Sequence, residues 1–251
     1  MPARRPLVAA IALAACAALA RPACAAPLDS SARVPFGPGT LLLPVPQGFG
    51  DPSTTPPEGV AAMQRTLPDA VRLMAVLMDE AFMEGVVLGQ HPHLSRYILV
   101  QTDRAGEAAG MSRADFDRLK AEMRTHTAAV MKASDRAAAS GEARESWDLA
   151  RRTGDTDLAI SSGPAKDLGV FEDRPDWISI ASTFTSSTTT KDGTRVIDQV
   201  VAQACVRIHG RQLTVSVYSD IDSPADIAWA RQALHAYVLR LFALDASAPG
   251  R

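Results

Sequence analysis

Apolar residues occur along the chain either in short runs, which are typical of strands, or three and four positions apart, which is typical of helices. The two patterns follow one another several times within residues 40–245. Almost continuous apolar runs at 41–46, 71–78 and 97–100 predict strands. The last two runs are apolar on both sides, which is typical of strands in the middle of a sheet whose two faces are both covered.

Apolar residues spaced three and four positions apart predict helices that begin near Thr55, Glu80, Ser112 and Ser223. Ser112 and Ser223 can each cap a helix, because an acidic residue follows three positions later. The two longer helices each carry one apolar stripe: Phe116, Leu119, Met123, Val130 and Met131 in the first, and Ile227, Ala230, Leu234, Val238 and Leu241 in the second. Residues 133–152, polar and alanine-rich, form either an extension of the first or a further helix.

Further strands are predicted at 158–161 and 168–171, which are short, at 177–185, where polarity alternates, at 195–208, which is long, and at 212–219. The dipeptide His209-Gly210 is typical of a two-residue turn, which pairs Ile208 with Arg211. Continuing that register gives three apolar pairs on one face: Val206 with Leu213, Ala204 with Val215, and Ala202 with Val217. A slip of one residue would mix the two faces, so the pattern specifies its own register.

These elements predict an α+β fold class, with a mostly antiparallel sheet and helices packed on it in an α/β/α sandwich-like arrangement. We expect a single domain over 40–245, since no repeat or linker interrupts that stretch. Residues 26–39 are rich in Pro, Gly and Ser and predict a flexible leader, and residues 246–251 predict a tail.

Residues 1–25 have the three zones of a secretory signal peptide. Arg4 and Arg5 precede an apolar run over 7–20, and Ala23-Cys24-Ala25 is a small-x-small cleavage pattern. A helix over that run spans about 21 Å, which is too short for a hydrocarbon core of about 30 Å, so we expect no transmembrane segment. Cleavage after Ala25 would give a periplasmic or secreted protein.

Two other export routes remain open. The sequence Leu13-Ala14-Ala15-Cys16 resembles a bacterial lipobox, which would leave a lipoprotein anchored through Cys16. Arg4-Arg5 resembles a twin-arginine signal, although Ala3 stands where Ser or Thr is usual.

Removal of residues 1–25 changes the charge of the chain. The full sequence has 26 basic and 28 acidic residues. Three arginines leave with the signal, so 23 basic residues remain against 28 acidic ones and the net charge becomes −5. This balance argues against nucleic acid as a partner, because binding to phosphates needs a basic surface.

Few residues have the pattern of a chemical site. Cys205, the one thiol left after cleavage, lies in the middle of a predicted strand, where we expect an inert packed residue and, lacking a second thiol, no internal disulfide. His91-Pro92-His93 offers two metal ligands, fewer than zinc requires. Asp220-Ile221-Asp222 resembles the start of a calcium loop, but Ala225 stands where that loop needs glycine. Asp155-Thr156-Asp157 is typical of a solvated turn.

The hydroxyls of Thr183–Thr190 have two readings: a surface that binds a sugar or a peptide, or threonines that suit a strand, which we favour. The sequence has no G-x-S-x-G, S-x-x-K, H-E-x-x-H, P-loop or G-x-G-x-x-G motif. We therefore expect no catalytic residues, no metal site and no cofactor.

Three segments together resemble PsbP-like proteins: "LLLPVPQGF", the hairpin "VVAQACVRIHGRQLTVSVYS" and the closing helix from Ser223. The resemblance implies an antiparallel sheet between helical layers and a lumenal or periplasmic binding role without catalysis. It assigns no functional residue.

The sequence thus predicts an exported envelope protein of the non-catalytic binding or adaptor type, which binds an unknown protein partner or a small ligand. The alternative is an envelope hydrolase whose active-site residues are dispersed along the chain. A concave pocket with two or more convergent titratable groups would favour a small-molecule or catalytic site, whereas an apolar surface patch without a pocket would favour a protein partner.

Overall fold

The computed structural model describes residues 30–52, 57–90, 93–125, 159–190 and 193–247. The described strands are β1 (Ser30–Phe36), β2 (Gly39–Val45), β3 (Val71–Met78), β4 (Arg96–Asp103), β5 (Ala159–Ser162), β6 (Lys166–Arg174), β7 (Trp177–Thr190), β8 (Gly193–Ile208) and β9 (Arg211–Asp220). The described helices are α1 (Pro57–Thr66), α2 (Glu80–Val87), α3 (Arg104–Ala109), α4 (described over residues 113–125) and α5 (Pro224–Ser247).

The fold is α+β, as predicted. Seven strands form one antiparallel sheet in the order β3-β4-β9-β8-β7-β5, and β6 also pairs with β7. Strands β1 and β2 form a separate hairpin. The predicted register of the β8–β9 hairpin is confirmed, because Ile208 pairs with Arg211 and Ala202 with Val217.

Helices cover both faces of this sheet. On one face, α5 and the β1–β2 hairpin close the largest hydrophobic core, and four residues of α5 are fully buried there: Ala230, Leu234, Val238 and Leu241. On the opposite face, Phe116 and Met123 of α4 pack against Ile178 and Ile180. Residues of α1 and α2 cover β3 and β4 on that same face. The chain is therefore a single domain of three layers.

The helix caps predicted at Ser112 and Ser223 are present in the structure. The hydroxyl of Ser112 accepts from the amide N–H of Asp115 and donates to its carboxylate, and Met111 packs beside Phe116. Ser223 caps α5 by accepting from the amide of Ala225. Thr55 and residues 132–156 lie outside the described residues, as do residues 1–29.

The expectation of a flexible leader over 26–39 is wrong where the structure describes it. Ser30–Phe36 is strand β1, and its alternate residues Ala32, Val34 and Phe36 are buried against the α5 core. Gly37 makes the turn into β2 with a φ of 57°, and its amide donates to Glu107. The Pro, Gly and Ser content concealed a period of two in the apolar residues.

The place of one strand and the end of one helix also differ from the prediction. Strand β3, expected in the middle of the sheet, is at its edge. The side-chain amide of Gln64 occupies that edge, since it donates to the carbonyl of Val71 and accepts from the amide of Leu73. Helix α5 continues to Ser247, beyond the predicted domain end at 245.

Candidate functional site

The structure has two clefts on its described surface that contain several titratable groups. The first, of about 530 Å³, lies where the start of α2 meets the start of β4 and the end of β9. Five acidic residues line it: Asp79, Glu80, Asp220, Asp222 and Asp226. We call it the acidic cleft.

The carboxylates of the acidic cleft mainly hold chain segments together. Asp79 caps α2, since it accepts from the amide of Phe82 at 2.7 Å. Asp226 accepts from the amide of Ser223 at 2.9 Å and pairs with Arg96 at 3.2 Å. The pKa of Asp226 lies below its usual value, chiefly because of that backbone hydrogen bond. These contacts explain Asp79 and Asp226 as structural residues.

His93, one of the histidines considered as a metal ligand, lies in this acidic cleft. Its Nε2 is 2.5 Å from an oxygen of Asp220, and the other oxygen of Asp220 accepts from Gln199 at 3.0 Å. Among the residues that the structure describes, no group of three His, Cys, Asp or Glu side chains could hold a metal. His91, Asp155 and Asp157 lie outside that part of the chain.

The second cleft has a volume of about 450 Å³ and lies between helix α5 and edge strand β6. Residues Phe171, Glu172, Asp173 and Arg174 line it from β6, and Arg231, Gln232 and His235 line it from α5. We call it the α5–β6 cleft. It is present because α5 packs across the sheet face with its apolar stripe, which leaves its polar flank facing the exposed end of the sheet.

A His–Glu pair joins the two walls of the α5–β6 cleft. The Nδ1 atom of His235 lies 3.0 and 3.1 Å from the two carboxylate oxygens of Glu172. An ionised carboxylate only accepts hydrogen bonds, so Nδ1 carries the proton and Nε2 is the basic nitrogen of the neutral ring. Nε2 has no partner within the described ranges, and the His235 side chain is 44% exposed.

Glu172 is the ionised member of this pair. Burial acts to raise the pKa of its carboxyl, but the Trp177 indole, His235 and Arg174 favour the charged form more strongly, and the pKa lies below its usual value. Arg174 reaches the same carboxylate at 3.3 Å. Glu172 therefore stays negatively charged at neutral pH and fixes the orientation of the imidazole.

Arg231 is the unusual residue of the α5–β6 cleft. Its guanidinium lies 5.3 Å from the centroid of the Phe171 ring and makes one long hydrogen bond, 3.4 Å, to the carbonyl of Leu168. The Nε atom is buried and has no hydrogen-bond partner among the described residues. No carboxylate of that part of the chain pairs with Arg231. This cation is thus only partly satisfied.

Basic groups outnumber acidic groups around this cleft. Asp173 is neutralised by two cations from α4, Lys120 at 2.6 Å and Arg124 at 2.5 Å. Glu172 is the one further acidic group that lines the cleft, against Arg174 and Arg231. The cleft is therefore locally positive, although the whole chain has a net charge of −2.

The other candidates from the sequence remain structural. Cys205 is buried in the middle of β8, and burial raises the pKa of its thiol to about 12, so it is not a nucleophile. The hydroxyls near Thr183–Thr190 pair across strands, for example Ser161 with Ser187 at 2.8 Å and Thr185 with Asp198 at 2.6 Å. These pairs favour the packing interpretation of the threonine run.

The described surface also exposes an apolar patch at the end of α2. Val87 is 82% exposed, and its neighbours Val86 and Leu88 are exposed as well. Three consecutive side chains make a small patch, and apolar patches of a few hundred Å² are ordinary on monomers. The α5–β6 cleft is therefore a stronger indication of a binding site than this apolar patch.

No protein-family model matches this sequence, and a search of curated proteins found no match. A search of solved structures found the Ran-binding protein Mog1p of Saccharomyces cerevisiae, at 16% identity and a TM-score of 0.32. The match covers 83% of this chain and 93% of that one. Among the described residues, no helix is long and apolar enough to cross a membrane.

Sequence reasoning did not single out Arg231, His235 or Glu172. Arg231 and His235 are four residues apart and share one helical face, which is a signal that the sequence does contain. Glu172, the partner of His235, lies about sixty residues earlier in a strand, and only the fold brings the two segments together.

Proposed function

We propose that the protein is an exported, non-catalytic binding protein of the bacterial envelope, and that it binds a small anion in the α5–β6 cleft. The observation that carries the proposal is the guanidinium of Arg231, which lines a locally positive cleft and pairs with no carboxylate among the described residues. An anion in the cleft would supply the acceptor that this cation lacks, and a hydrogen bond to a charged group contributes about 1.5–3 kcal/mol. A guanidinium is also the side chain best suited to bind carboxylate, sulfate or phosphate groups.

Replacing Arg231 by glutamine should weaken anion binding at least tenfold. Hydrogen bonds to a charged group contribute about 1.5–3 kcal/mol, and 1.4 kcal/mol corresponds to a factor of ten. Isothermal titration with sulfate, citrate and acetate, against sodium chloride at equal ionic strength, measures the effect.

The matched control is Arg195→Gln, because Arg195 is an exposed arginine of β8 far from the α5–β6 cleft along the sheet. This variant should bind as the wild type does. Equal losses in both variants, or no saturable binding of any of the three anions by the wild type, would contradict the proposal.

The envelope location rests on residues 1–25, and it has its own test. When the full chain is expressed in a Gram-negative host, the mature protein should begin at Ala26 and be found in the periplasm or medium. N-terminal sequencing of each cell fraction measures this. A lipid-modified Cys16 at the amino terminus would support the anchored alternative, and an intact chain in the cytosol would contradict export.

The His235–Glu172 pair favours hydrolysis as a second candidate function. A carboxylate that fixes the tautomer leaves Nε2 of neutral His235 free to take a proton from water, and Arg231 could stabilise a developing oxyanion. His235→Gln should abolish such an activity. Hydrolysis of p-nitrophenyl esters and phosphates, measured from pH 5.5 to 8, tests this candidate.

A further inference from the structure

We infer that His235 is the second anion contact of the α5–β6 cleft, and that the ligand is a doubly charged tetrahedral oxyanion, either sulfate or a phosphoryl dianion. The inference rests on the proposed function, because it takes Arg231 as the first contact. It adds the class of the ligand and the condition under which the protein releases it.

Spacing on α5 places the two contacts together. Arg231 and His235 are one helical turn apart, so their Cβ atoms are about 5–6 Å from each other on the same face. Both residues line the cleft, and Arg174 lines the opposite wall. An anion that contacts the guanidinium of Arg231 is thus within reach of a donor at Nε2 of His235.

Protonation decides whether His235 attracts or repels an anion. In the neutral ring the proton lies on Nδ1, which faces Glu172, and Nε2 presents a lone pair toward the solvent-exposed side. In the charged ring Nδ1–H still donates to Glu172, and Nε2 gains a proton that an oxyanion can accept. Histidine is the side chain that most readily changes its charge near neutral pH, so acid and mildly alkaline conditions are the ones to compare.

The charges that face His235 match a dianion. On β6 these charges are Glu172, Asp173 and Arg174, and on α5 the charge is Arg231. Asp173 is compensated by Lys120 and Arg124 of α4. Counted with Lys120 and Arg124, these groups give two net positive charges with neutral His235 and three with protonated His235, which suffice to compensate sulfate or a phosphate monoester dianion.

The geometry also favours a tetrahedral group over a carboxylate. A carboxylate has two oxygens, and a guanidinium alone can bind both of them side by side. A tetrahedral oxyanion has further oxygens, which can accept from His235 on the same helix and from Arg174 across the cleft. Additional donors therefore increase affinity mainly for the phosphoryl or sulfo class.

Sulfate is the appropriate probe, because it carries two negative charges throughout pH 5.5–8 and only the protein titrates. Methanesulfonate, with one charge at both pH values, is the matched ligand control. We expect the wild type to bind sulfate about tenfold more tightly at pH 5.5 than at pH 8, and to bind methanesulfonate with a smaller change. His235→Gln should bind sulfate equally at both pH values, as weakly as the wild type at pH 8.

A second measurement does not depend on the folding of a variant. In the wild type, sulfate should move the pH midpoint of the His235 imidazole resonance upward, because the ligand favours the protonated ring. Sulfate binding that is pH-independent but abolished by Arg231→Gln would overturn this inference and leave the proposed function intact. Absence of sulfate binding at both pH values, together with absence of citrate and acetate binding, would overturn both.

Discussion

Replacing Leu234 by alanine should lower the free energy of unfolding by about 3.5 kcal/mol, the middle of the range for buried leucines. Leu234 is fully buried in the core between α5, the β1–β2 hairpin and the sheet. The loss has two sources. Alanine buries less apolar surface on folding than leucine does, and a cavity remains where the leucine side chain was. Urea denaturation, followed by circular dichroism, measures it.

Leu239→Ala is the matched control on the same helix. Leu239 is 47% exposed, so its truncation should change the free energy of unfolding by less than about 0.5–1 kcal/mol. Both changes alter helix propensity equally, because both replace leucine with alanine. Similar losses in the two variants would contradict the assignment of the buried face of α5, on which the position of the α5–β6 cleft depends.

Replacing Lys120 by alanine should have the second largest effect, a loss of about 3 kcal/mol of stability. Lys120 is 5% exposed, and its ammonium group pairs with Asp173 and donates to the carbonyl of Arg174. Breaking a fully buried pair costs about 3–5 kcal/mol, and the lower end applies because the Asp173 side chain is 31% exposed and Arg124 still compensates it. Thermal and urea unfolding measure the change.

Arg118→Ala is the control for Lys120. Arg118 lies on the same helix and pairs with Asp115, but its side chain is 69% exposed, so the loss should stay within about 0–1 kcal/mol. Lys120→Met should lose less than Lys120→Ala, since methionine refills the apolar volume. If Lys120 and Arg118 behave alike, α4 is not anchored to β6 as described here.

Acid should reduce the difference between the wild type and Lys120→Ala. Burial acts to raise the pKa of Asp173, but hydrogen bonds from Lys120 and Arg124 outweigh it, and the pKa lies below its usual value. A lowered pKa means that the ionised carboxylate stabilises the fold above about pH 4, and that this contribution disappears as the pH falls through the lowered value. The two stabilities should therefore converge below that point.

The sheet was predictable wherever apolar periodicity was strong. The β8–β9 register followed from the alternation of Ala202, Ala204, Val206 and Ile208 around a two-residue turn. The α5 stripe and the Ser112 and Ser223 caps were equally local, so the sequence contained all the information needed. Local pattern and global fold agree at these positions, as expected for foldable sequences.

The errors arose where a tertiary contact replaced a local signal. Strand β3 has the composition of a central strand, yet Gln64 satisfies its outer edge. Ser30–Phe36 looks flexible by composition, but α5 gives its apolar side chains a surface to cover. A short stretch of sequence contains only one partner of such a contact and therefore cannot reveal it.

The candidate site was beyond prediction for the same reason. The sequence shows Arg231 and His235 as ordinary polar residues of an amphipathic helix. Their significance depends on a strand that brings Glu172 to 3.0 Å from His235, and on the fact that Arg231 pairs with no carboxylate of the described residues. The sequence instead draws notice to local motifs such as His91-Pro92-His93 as possible metal ligands. The one histidine of that motif that the structure describes, His93, pairs with Asp220.

The most direct test of the central claim observes the Nε–H resonance of Arg231 by ¹H–¹⁵N NMR during titration with sulfate at pH 5.5. This N–H belongs to the guanidinium that is proposed to bind the anion, so it should report binding in the α5–β6 cleft. The account predicts a saturable shift of that resonance, with a midpoint equal to the calorimetric dissociation constant. A resonance that stays unchanged while sulfate binds elsewhere on the protein would contradict the assignment of the α5–β6 cleft as the anion site.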